Sequence, residues 1–241
     1  MNFLKQLFLA SGLCIGVMSV MAQTANPVIT FYDVENKTEV KLNPSESSEP
    51  MQAPLEITCT ANVDFQGTDY TNYTCEWRIY NSDEGEKSAF LTRYDEDITY
   101  TLSQAGGYGV KLYITFRNST NDEIEYECEP FRIVISESFL KCPDGFSPNG
   151  DDKNNIYHIQ HKSIVQLEGA IFNRWGKRLH TFTLDNVDMG WDGMVGGRAV
   201  PDGIYLLQLE AVGSEGVKYK IKKVINVLKG FTETGEGATT G

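Results

Sequence analysis

Apolar and polar residues alternate with a period of two along the chain from Pro54 onward, and turn residues separate the alternating segments. Cys75, Trp77 and Ile79, for example, fall on one face of their segment. Successive side chains of a β-strand point to opposite faces, so this alternation predicts strands. In the first part of the chain the predicted strands are Pro54–Val63, Tyr73–Tyr80, Ile98–Leu102, Tyr108–Phe116 and Phe131–Ile135. Roughly seven short strands in about 110 residues are typical of a β-sandwich.

The second part of the chain shows the same alternation. Its predicted strands are Ile164–Asn173, Arg178–Leu184, Gly203–Val212 and Val217–Leu228. Within the third of these, Ile204–Leu209 is apolar at almost every position, which predicts a central strand covered on both faces. The two parts together predict an all-β chain of two consecutive sandwich domains.

A domain boundary is predicted at Ser136–Ser138, because a turn-rich segment follows it. We therefore expect a first domain at residues 23–138, a second domain at 139–230 and a flexible tail at 231–241. Residues 23–140 carry 21 acidic and 8 basic side chains, a net charge of −13, whereas residues 141–241 carry 12 of each. The acidity of the first domain excludes nucleic acid as its partner, because phosphates would repel it, and favours solubility outside the cell.

Residues 1–22 have the three parts of a secretory signal peptide. Lys5 precedes the apolar segment Leu7–Val20, and cleavage is predicted after Ala22. The apolar segment is shorter than a membrane-spanning helix requires, and no later segment resembles one. A retained membrane anchor, or a lipoprotein centred on Cys14, fits the sequence less well. The chain is therefore predicted to pass through the periplasm and to be secreted or held at the outer-membrane surface.

Four cysteines remain after the predicted signal peptide, namely Cys59, Cys75, Cys128 and Cys142. No pair has the spacing of a metal-binding knuckle or a redox motif, so a structural role is predicted. Cys59, near the end of one strand, and Cys75, near the start of the next, are expected to face the core from neighbouring strand ends. We therefore predict a Cys59–Cys75 disulfide, whose short loop would stabilise the fold by about 3 kcal/mol. The state of Cys128 and Cys142 stays open.

Four turn-rich motifs follow one another in the second domain. They are Phe146-Ser147-Pro148-Asn149-Gly150-Asp151, Ile171-Phe172-Asn173-Arg174-Trp175-Gly176, Gly190-Trp191-Asp192-Gly193 and Val200-Pro201-Asp202-Gly203-Ile204-Tyr205. Together they resemble the gliding motility-associated C-terminal domain, the type B sorting domain of the type IX secretion system, from Leu140 to Gly230. The motif positions proposed to matter are Asn149, Gly150, Asp151, Phe172, Asn173, Arg174, Trp175, Gly176, Trp191, Asp192, Gly193, Pro201, Gly203 and Tyr205.

This resemblance implies an immunoglobulin-like sandwich that performs no chemistry and directs secretion or surface display. The implied partner is the outer-membrane translocon of the type IX system. Through Tyr100–Ser103 and Gly107–Val110, the first domain is similar to PKD and related immunoglobulin-like domains, in which a tyrosine opens a late strand and packs at a corner. The aspartate-glycine loop typical of PKD repeats is absent, so this similarity implies the fold alone.

Elementary chemistry suggests roles for several motif residues. Asn173 suits the cap of a tight turn. Arg174 is expected to stack on an aromatic ring or to hold a carboxylate, for which Asp192 is a reasonable partner. Trp175 and Trp191 are large enough to close the ends of a small sandwich.

The loop Ser147–Asn155 departs from the family pattern at two positions. Asp152 stands where a glycine is usual, and Asn155 stands where an aspartate is usual. The usual loop looks like a calcium loop, with oxygen donors at alternate positions around a glycine. Loss of that glycine and of one carboxylate favours a hydrogen-bonded turn over a cation site, so no metal is predicted.

No sequence feature supports catalysis. The three histidines, His158, His161 and His180, lack the cysteines or carboxylates that would complete a zinc site. No phosphate loop, dinucleotide fingerprint or nucleophile motif occurs, so we predict neither enzyme activity nor a cofactor. The basic run Lys218–Val224 is interpreted as a lysine-blunted strand rather than as a contact with the translocon or with anionic membrane components.

The sequence thus predicts a non-catalytic secreted or surface protein, with an acidic adhesion or binding domain as passenger and a sorting domain behind it. Two alternatives stay open, a structural subunit of a surface assembly and a carbohydrate-binding module. The second alternative needs a row of exposed aromatic rings, for which the candidates are Tyr70, Tyr73, Tyr80 and Tyr94. The sequence does not say whether the first domain binds an extracellular protein or a glycan.

Overall fold

Strands of alternating burial dominate the computed structural model, which describes residues 24–64, 69–151 and 153–230. The predicted signal peptide and the predicted tail lie outside the described residues. Short 3₁₀ helices occur at Glu86–Ser88 and Val187–Met189. The all-β fold predicted from the period of two is confirmed.

The described residues of the first domain contain twelve strands, of which ten form two packed sheets and the other two pair with each other. In chain order they are β1 (Thr24–Ala25), β2 (Val28–Asp33), β3 (Thr38–Leu42), β4 (Ser47–Met51), β5 (Leu55–Thr60), β6 (Val63–Asp64), β7 (Asn72–Asn81), β8 (Leu91–Arg93), β9 (Asp97–Leu102), β10 (Gly106–Arg117), β11 (Glu123–Glu127) and β12 (Phe131–Ile135). One sheet has the order β3-β2-β5-β9, the other has the order β4-β12-β10-β7-β8, and β11 pairs with β10. Their inner faces meet in one hydrophobic core, as expected for an immunoglobulin-like sandwich.

The inner face of β7 shows how the sequence makes this core. Cys75, Trp77 and Ile79 are buried, and the residues between them are partly exposed. The Trp77 indole nitrogen donates to the backbone oxygen of Glu96 over 2.9 Å, so its one polar atom is satisfied inside the core. The alternation that predicted this strand therefore also places its side chains.

The predicted Cys59–Cys75 disulfide is wrong. All four cysteines of the described residues are free and buried. Cys59 lies on β5 in one sheet and Cys75 on β7 in the other, and stacked sheets lie about 10 Å apart. A disulfide needs Cα atoms within about 7 Å, and no two cysteines of the described residues approach one another to disulfide distance. Burial raises the pKa of Cys59 to about 12 and that of Cys75 to about 11, so both thiols stay protonated.

The second domain has one five-stranded sheet covered on its inner face. Its strands are β13 (Phe139–Lys141), β14 (Gly145–Phe146), β15 (Gln160–Lys162), β16 (Ile164–Phe172), β17 (Arg178–Thr183), β18 (Met194–Val195), β19 (Arg198–Ala199), β20 (Gly203–Gly213) and β21 (Lys218–Val227). The main sheet has the order β14-β21-β20-β16-β17, and β13 pairs with β15 and β18 with β19. The covering layer includes Tyr157 and Trp191, which form an isolated backbone bridge.

The prediction that Ile204–Leu209 is covered on both faces is wrong. β20 is central, between β16 and β21, but Ile204 is 65% exposed and Leu206 is only partly buried. Tyr205 and Leu207, which point the other way, are buried. The covering layer lies on the inner face alone, so the outer face of this sheet carries apolar side chains in contact with solvent.

A short linker joins the two domains, and hydrogen bonds of several serines connect the domains beside it. Ser163 is buried, and its hydroxyl accepts from the Ala53 backbone nitrogen and pairs with the Ser136 hydroxyl at 2.8 Å. The Ser214 hydroxyl donates to the Ser136 backbone oxygen over 3.1 Å. Ser138 donates from both its backbone nitrogen and its hydroxyl to the carboxylate of Glu215. These bonds define a linker end in each domain, and the opposite ends are called here the far ends.

Candidate functional site

The turn between β16 and β17 presents an exposed tryptophan at the far end of the second domain. Asn173 holds the turn, because its side-chain oxygen accepts from the backbone nitrogens of Trp175 and Lys177 over 3.0 and 2.9 Å. Gly176 completes the turn with a φ of 78°, a conformation that suits glycine. Trp175 at the tip is 76% exposed, so the expectation that it closes the core is wrong.

Arg174 stacks on the Trp175 indole. Its guanidinium carbon lies 4.3 Å from the ring centroid, which is a cation–π contact. This is the first of the two roles expected for Arg174. The Asp192 carboxylate, the alternative partner, instead accepts from the Met194 backbone nitrogen over 2.9 Å. The stack holds an exposed indole and a cation together at the surface.

The turn Pro201–Gly203 faces the tryptophan turn and leads into β20. The Tyr205 hydroxyl donates to the Pro201 backbone oxygen over 2.7 Å. The Asp202 carboxylate accepts from the Lys229 backbone nitrogen over 3.2 Å, which ties the end of the chain after β21 to the turn. Gly203 has a φ of 146°, outside the range of most L side chains.

A groove of about 620 Å³ lies between these two turns. Its floor is apolar and comes from strands of the main sheet, namely Leu179, Ile204, Leu206 and Val224. Val224 is 52% exposed. Trp175 and Arg174 form one wall, and the Pro201–Gly203 turn forms the other. We call this feature the Trp175 groove.

The sequence-based list of site residues did not include the floor of the Trp175 groove. A signal for it was present, because Ile204, Leu206 and Val224 occupy alternate positions on β20 and β21 and therefore share one face. Register pairs Leu206 with Val224, which confirms that the two side chains are neighbours. The pattern gave no sign that this face would stay uncovered.

Trp191 anchors the far end from inside. It is 1% exposed, and its indole nitrogen donates to the Met194 backbone oxygen over 3.2 Å. Its ring centroid lies 5.4 Å from that of Phe146, 5.9 Å from that of Tyr205 and 6.2 Å from that of His180. Trp191 therefore closes the core as expected and joins the motifs that contain Phe146 and Tyr205. Burial lowers the pKa of His180, although nearby Asp192 acts in the opposite direction.

Two glycines make the Trp191 segment possible. Gly190 has a φ of 68°, and a Cβ there would lie 2.7 Å from the Tyr157 backbone oxygen. Gly193 has a φ of 76°, and a Cβ there would lie 3.2 Å from Pro148. The segment thus passes close to the loop that follows β14.

The loop that contains Asn149, Gly150 and Asp151 is a hydrogen-bonded turn. Asn149 donates to the Asp151 carboxylate over 2.8 Å, and this bond lowers the pKa of Asp151. The Gly150 backbone nitrogen donates to the Asn155 side chain over 2.7 Å. Asp152 lies outside the described residues. Within the residues that the structure describes, no group of three or more His, Cys, Asp or Glu side chains is arranged to hold a metal ion.

Strand register places three of the motifs at the far end of the second domain, and the ring contacts of Trp191 with Phe146 and Tyr205 place the fourth there. Phe146 and Gly203 both pair with Val227, and Phe172 pairs with Leu206. At the other end of the sheet Ile164 pairs with Gly213, beside the serine contacts of the linker. The structure therefore brings the motif residues to one end, where Trp191 packs inside and the Trp175 groove opens outside.

Comparison with known proteins gives one family match. Residues 140–227 match the family CHU_C, described as Type IX secretion signal domain. The recognition of a type IX sorting domain in the second half of the chain is therefore confirmed. A search of curated proteins gives no match. The chain is targeted for type IX secretion, to the outer-membrane surface or the extracellular space.

Solved structures with weak likeness include several multidomain proteins. The fibronectin(III)-like modules of Clostridium thermocellum CbhA share 13% identity at a TM-score of 0.22, over 82% of this chain and 96% of theirs. Dimeric latent PorU from Porphyromonas gingivalis shares 13% sequence identity at a TM-score of 0.25, over 87% of this chain and 20% of the PorU chain. The FN1–FN3 domains of chicken CNTN1 share 11% sequence identity at a TM-score of 0.26, over 80% of this chain and 76% of the CNTN1 chain. Scores this low identify no function. Over the described ranges, no helix is both long and apolar enough to cross a membrane.

Proposed function

We propose, from the premise that residues 140–227 form a type IX secretion signal domain, that the outer-membrane translocon reads this domain at its far end. The first domain, divided from the second at residue 138, is then a non-catalytic passenger. The signal at residues 1–22 takes the chain into the periplasm, and the second domain takes it onward. The chain carries two export instructions that act in sequence.

The observation that carries this proposal is the convergence of the four motifs at the far end of the second domain, where two of them line the Trp175 groove. An export signal needs a surface that stays accessible while its passenger is attached. The groove opens at the end of the domain remote from the linker, so the first domain does not cover it. Exposed Trp175 and Ile204, which contribute little to the core, are understandable as parts of a recognition surface.

The first domain has the character of a binding passenger rather than of an enzyme. On the outer face of its larger sheet, Glu86 bonds Arg78, Lys111 and Tyr113, and Lys111 also bonds Glu127. These ion pairs neutralise only part of the acidity, because residues 23–140 carry 21 acidic against 8 basic side chains and keep a net charge of −13. A protein with complementary basic groups is the class of ligand that such a surface favours.

A glycan ligand receives less support from the aromatic side chains. Tyr73 donates its hydroxyl to Glu96, and Tyr80 lies over the Cα of Gly109, so neither ring stands free on the surface. Tyr70 is partly buried against the core, and Tyr94 alone of the four candidates is strongly exposed. A flat row of rings for stacking sugars is therefore not formed by the four tyrosines, which favours a protein ligand.

Export itself provides the test. A chain that lacks residues 139–241 should accumulate in the periplasm, detected by cell fractionation and by protease treatment of intact cells. Surface appearance of the truncated chain would contradict the sorting role.

A groove variant and a matched control test the role of the Trp175 groove. Trp175→Ser combined with Ile204→Ser removes exposed apolar area without opening the core, so the domain should fold and the chain should stay in the periplasm. Val217→Ala, which changes an exposed apolar residue at the linker end, is the matched control and should be exported normally. Normal export of the groove variant would show that the translocon reads another surface of the domain.

A further inference from the structure

The Trp175 groove combines an apolar floor with a charged rim, on which Arg174 and nearby Lys222 outnumber the single acid Asp202. Arg174 stacks on the indole, and Lys222 is exposed two residues before Val224 on the same face of β21. The Asp202 carboxylate of the facing turn is held by the Lys229 backbone nitrogen. A fitting ligand therefore presents an apolar or aromatic side chain next to negative charge.

The first domain presents such a group in the turn between β8 and β9. Tyr94 is 71% exposed there, and it is followed by three consecutive acids, Asp95, Glu96 and Asp97. The turn is well anchored, because the Glu96 backbone oxygen accepts from the Trp77 indole and the Asp97 carboxylate accepts from the Ala61 backbone nitrogen. We call this feature the Tyr94 turn.

The Tyr94 turn lies away from the linker end of the first domain. Asp97, at its end, pairs with Thr60, whereas Leu102, at the other end of β9, pairs with Leu55. Shortly after Leu102, the Ala105 backbone nitrogen donates to Ser214 of the second domain. The second domain has its groove at its own far end, so the two features lie towards opposite ends of the chain. One copy therefore does not place its own Tyr94 turn in its own groove.

We infer that the Tyr94 turn of one copy docks into the Trp175 groove of a second copy, with Asp95 facing Arg174. The aromatic ring covers the exposed indole and Ile204, and the acidic run neutralises the cations on the rim. Each copy offers one turn and one groove, so the contact is heterologous and repeats head to tail. Copies joined in this way form linear chains, and the protein acts as a structural subunit of a surface assembly.

This inference uses the same end of the second domain that the proposed function gives to the translocon. The two partners would bind at different times, the translocon during export and the next copy after it. The inference does not depend on the first proposal, since variants of the Tyr94 turn lie outside the export domain. Tyr94→Ala should therefore abolish assembly and leave export unchanged.

Sedimentation velocity of the purified mature chain provides the test. The wild-type protein should show a mass that rises with protein concentration and falls as salt is added, because salt screens charges beyond a Debye length of about 10 Å at 0.1 M. Tyr94→Ala and Trp175→Ala should each remain monomeric. The controls Tyr32→Ala and Val217→Ala, which remove other exposed side chains, should assemble like the wild type.

Mixing the two monomeric variants gives the decisive result. Tyr94→Ala keeps a working groove and Trp175→Ala keeps a working turn, so an equimolar mixture should form dimers and nothing larger. A wild-type chain that stays monomeric at every concentration, a Tyr94→Ala chain that still assembles, or a mixture that stays monomeric would overturn the inference. An assembly that survives Trp175→Ala would overturn it as well.

Discussion

Tyr205 donates a hydrogen bond from its hydroxyl to the backbone oxygen of Pro201, four residues earlier, over 2.7 Å. Tyr108 makes the same contact in the first domain, where its hydroxyl donates to the Gln104 backbone oxygen over 2.9 Å. A glycine of positive φ lies between donor and acceptor in both cases. The two domains thus use one device to fix the corner before a long central strand, as immunoglobulin-like domains do.

This contact predicts a matched pair of effects. Tyr205→Phe and Tyr108→Phe each remove one partly buried hydrogen bond and keep the ring, so each should lower the free energy of unfolding by about 1 kcal/mol. Urea denaturation followed by near-ultraviolet circular dichroism measures this. Tyr94→Phe, at an exposed ring, is the control and should leave stability unchanged. Unfolding of both corner variants at the wild-type urea concentration would show that the contacts contribute nothing.

His180 predicts that stability falls in mild acid. Its Nε2 atom is buried without a hydrogen-bond partner in the described part of the chain, and burial lowers the pKa of the ring below its usual value of 6.5. The unfolded chain therefore takes up a proton at higher pH than the folded chain. The free energy of unfolding should drop as the pH falls through 6.5 and level off below the folded-state pKa.

Variants of His180 isolate this contribution. His180→Phe keeps a ring against Phe182 and Trp191, and His180→Gln keeps polarity, yet neither titrates in this range. Both should show a weaker loss of stability than the wild type between neutral and mildly acidic pH. An unchanged pH profile in both variants would assign the acid sensitivity to other groups.

Asn186 protects an edge of the second domain's main sheet. β17 is the edge strand, and the Asn186 side chain accepts from the Thr183 backbone nitrogen over 2.8 Å and donates to the Thr181 backbone oxygen over 3.0 Å. Unpaired groups at a sheet edge promote pairing with another chain. Asn186→Ala should therefore cause self-association through this edge.

The measurement is again sedimentation velocity, made on a Trp175→Ala background so that groove-dependent assembly does not contribute. Asn186→Asp, which still accepts from Thr183 but no longer donates to Thr181, should associate less than Asn186→Ala. Monomeric behaviour of Asn186→Ala would mean that the edge is protected by other means.

The burial of the four cysteines predicts how their thiols react in the folded and in the unfolded protein. The described chain has four free buried cysteines, and burial raises the pKa of each thiol. The native mature protein should therefore react slowly with thiol reagents. After unfolding without a reductant, Cys59, Cys75, Cys128 and Cys142 should all react. Recovery of only two reactive thiols, with a disulfide-linked peptide found by mass spectrometry, would contradict the free state.

The period of two was sufficient to predict nine of the strands, including β7, and to place Trp77 on one face with Cys75 and Ile79. It missed β2, β3, β4 and β11, and the burial of Trp191 was predicted from its size. The period of two was also insufficient for the outer face of β20, because Ile204, Tyr205, Leu206 and Leu207 make both faces of that strand apolar. Which face is covered depends on where the distant Tyr157–Trp191 segment packs, and no local pattern contains that information. The disulfide prediction was wrong for a similar reason. The alternation predicts that Cys59 and Cys75 both face inward, but it contains no information about the distance between them across the core.

The motif residues show the same limit. Turn chemistry correctly predicted the cap by Asn173, because that contact spans only a few residues. The choice between Trp175 and Asp192 as the partner of Arg174 depends on the tertiary path of the Trp191 segment. The exposure of Trp175 could not be inferred from its residue type, because tryptophan serves both cores and recognition surfaces.

Transfer of export to an unrelated protein tests the central claim most directly. A periplasmic reporter with its own signal peptide would be joined to residues 136–241 and expressed in cells with an intact type IX system. The reporter should appear at the cell surface or in the medium, and Trp191→Ala, which removes the ring at the centre of the far end, should return it to the periplasm. A reporter that stays in the periplasm while its fused domain is folded would contradict the assignment of this domain as the export signal.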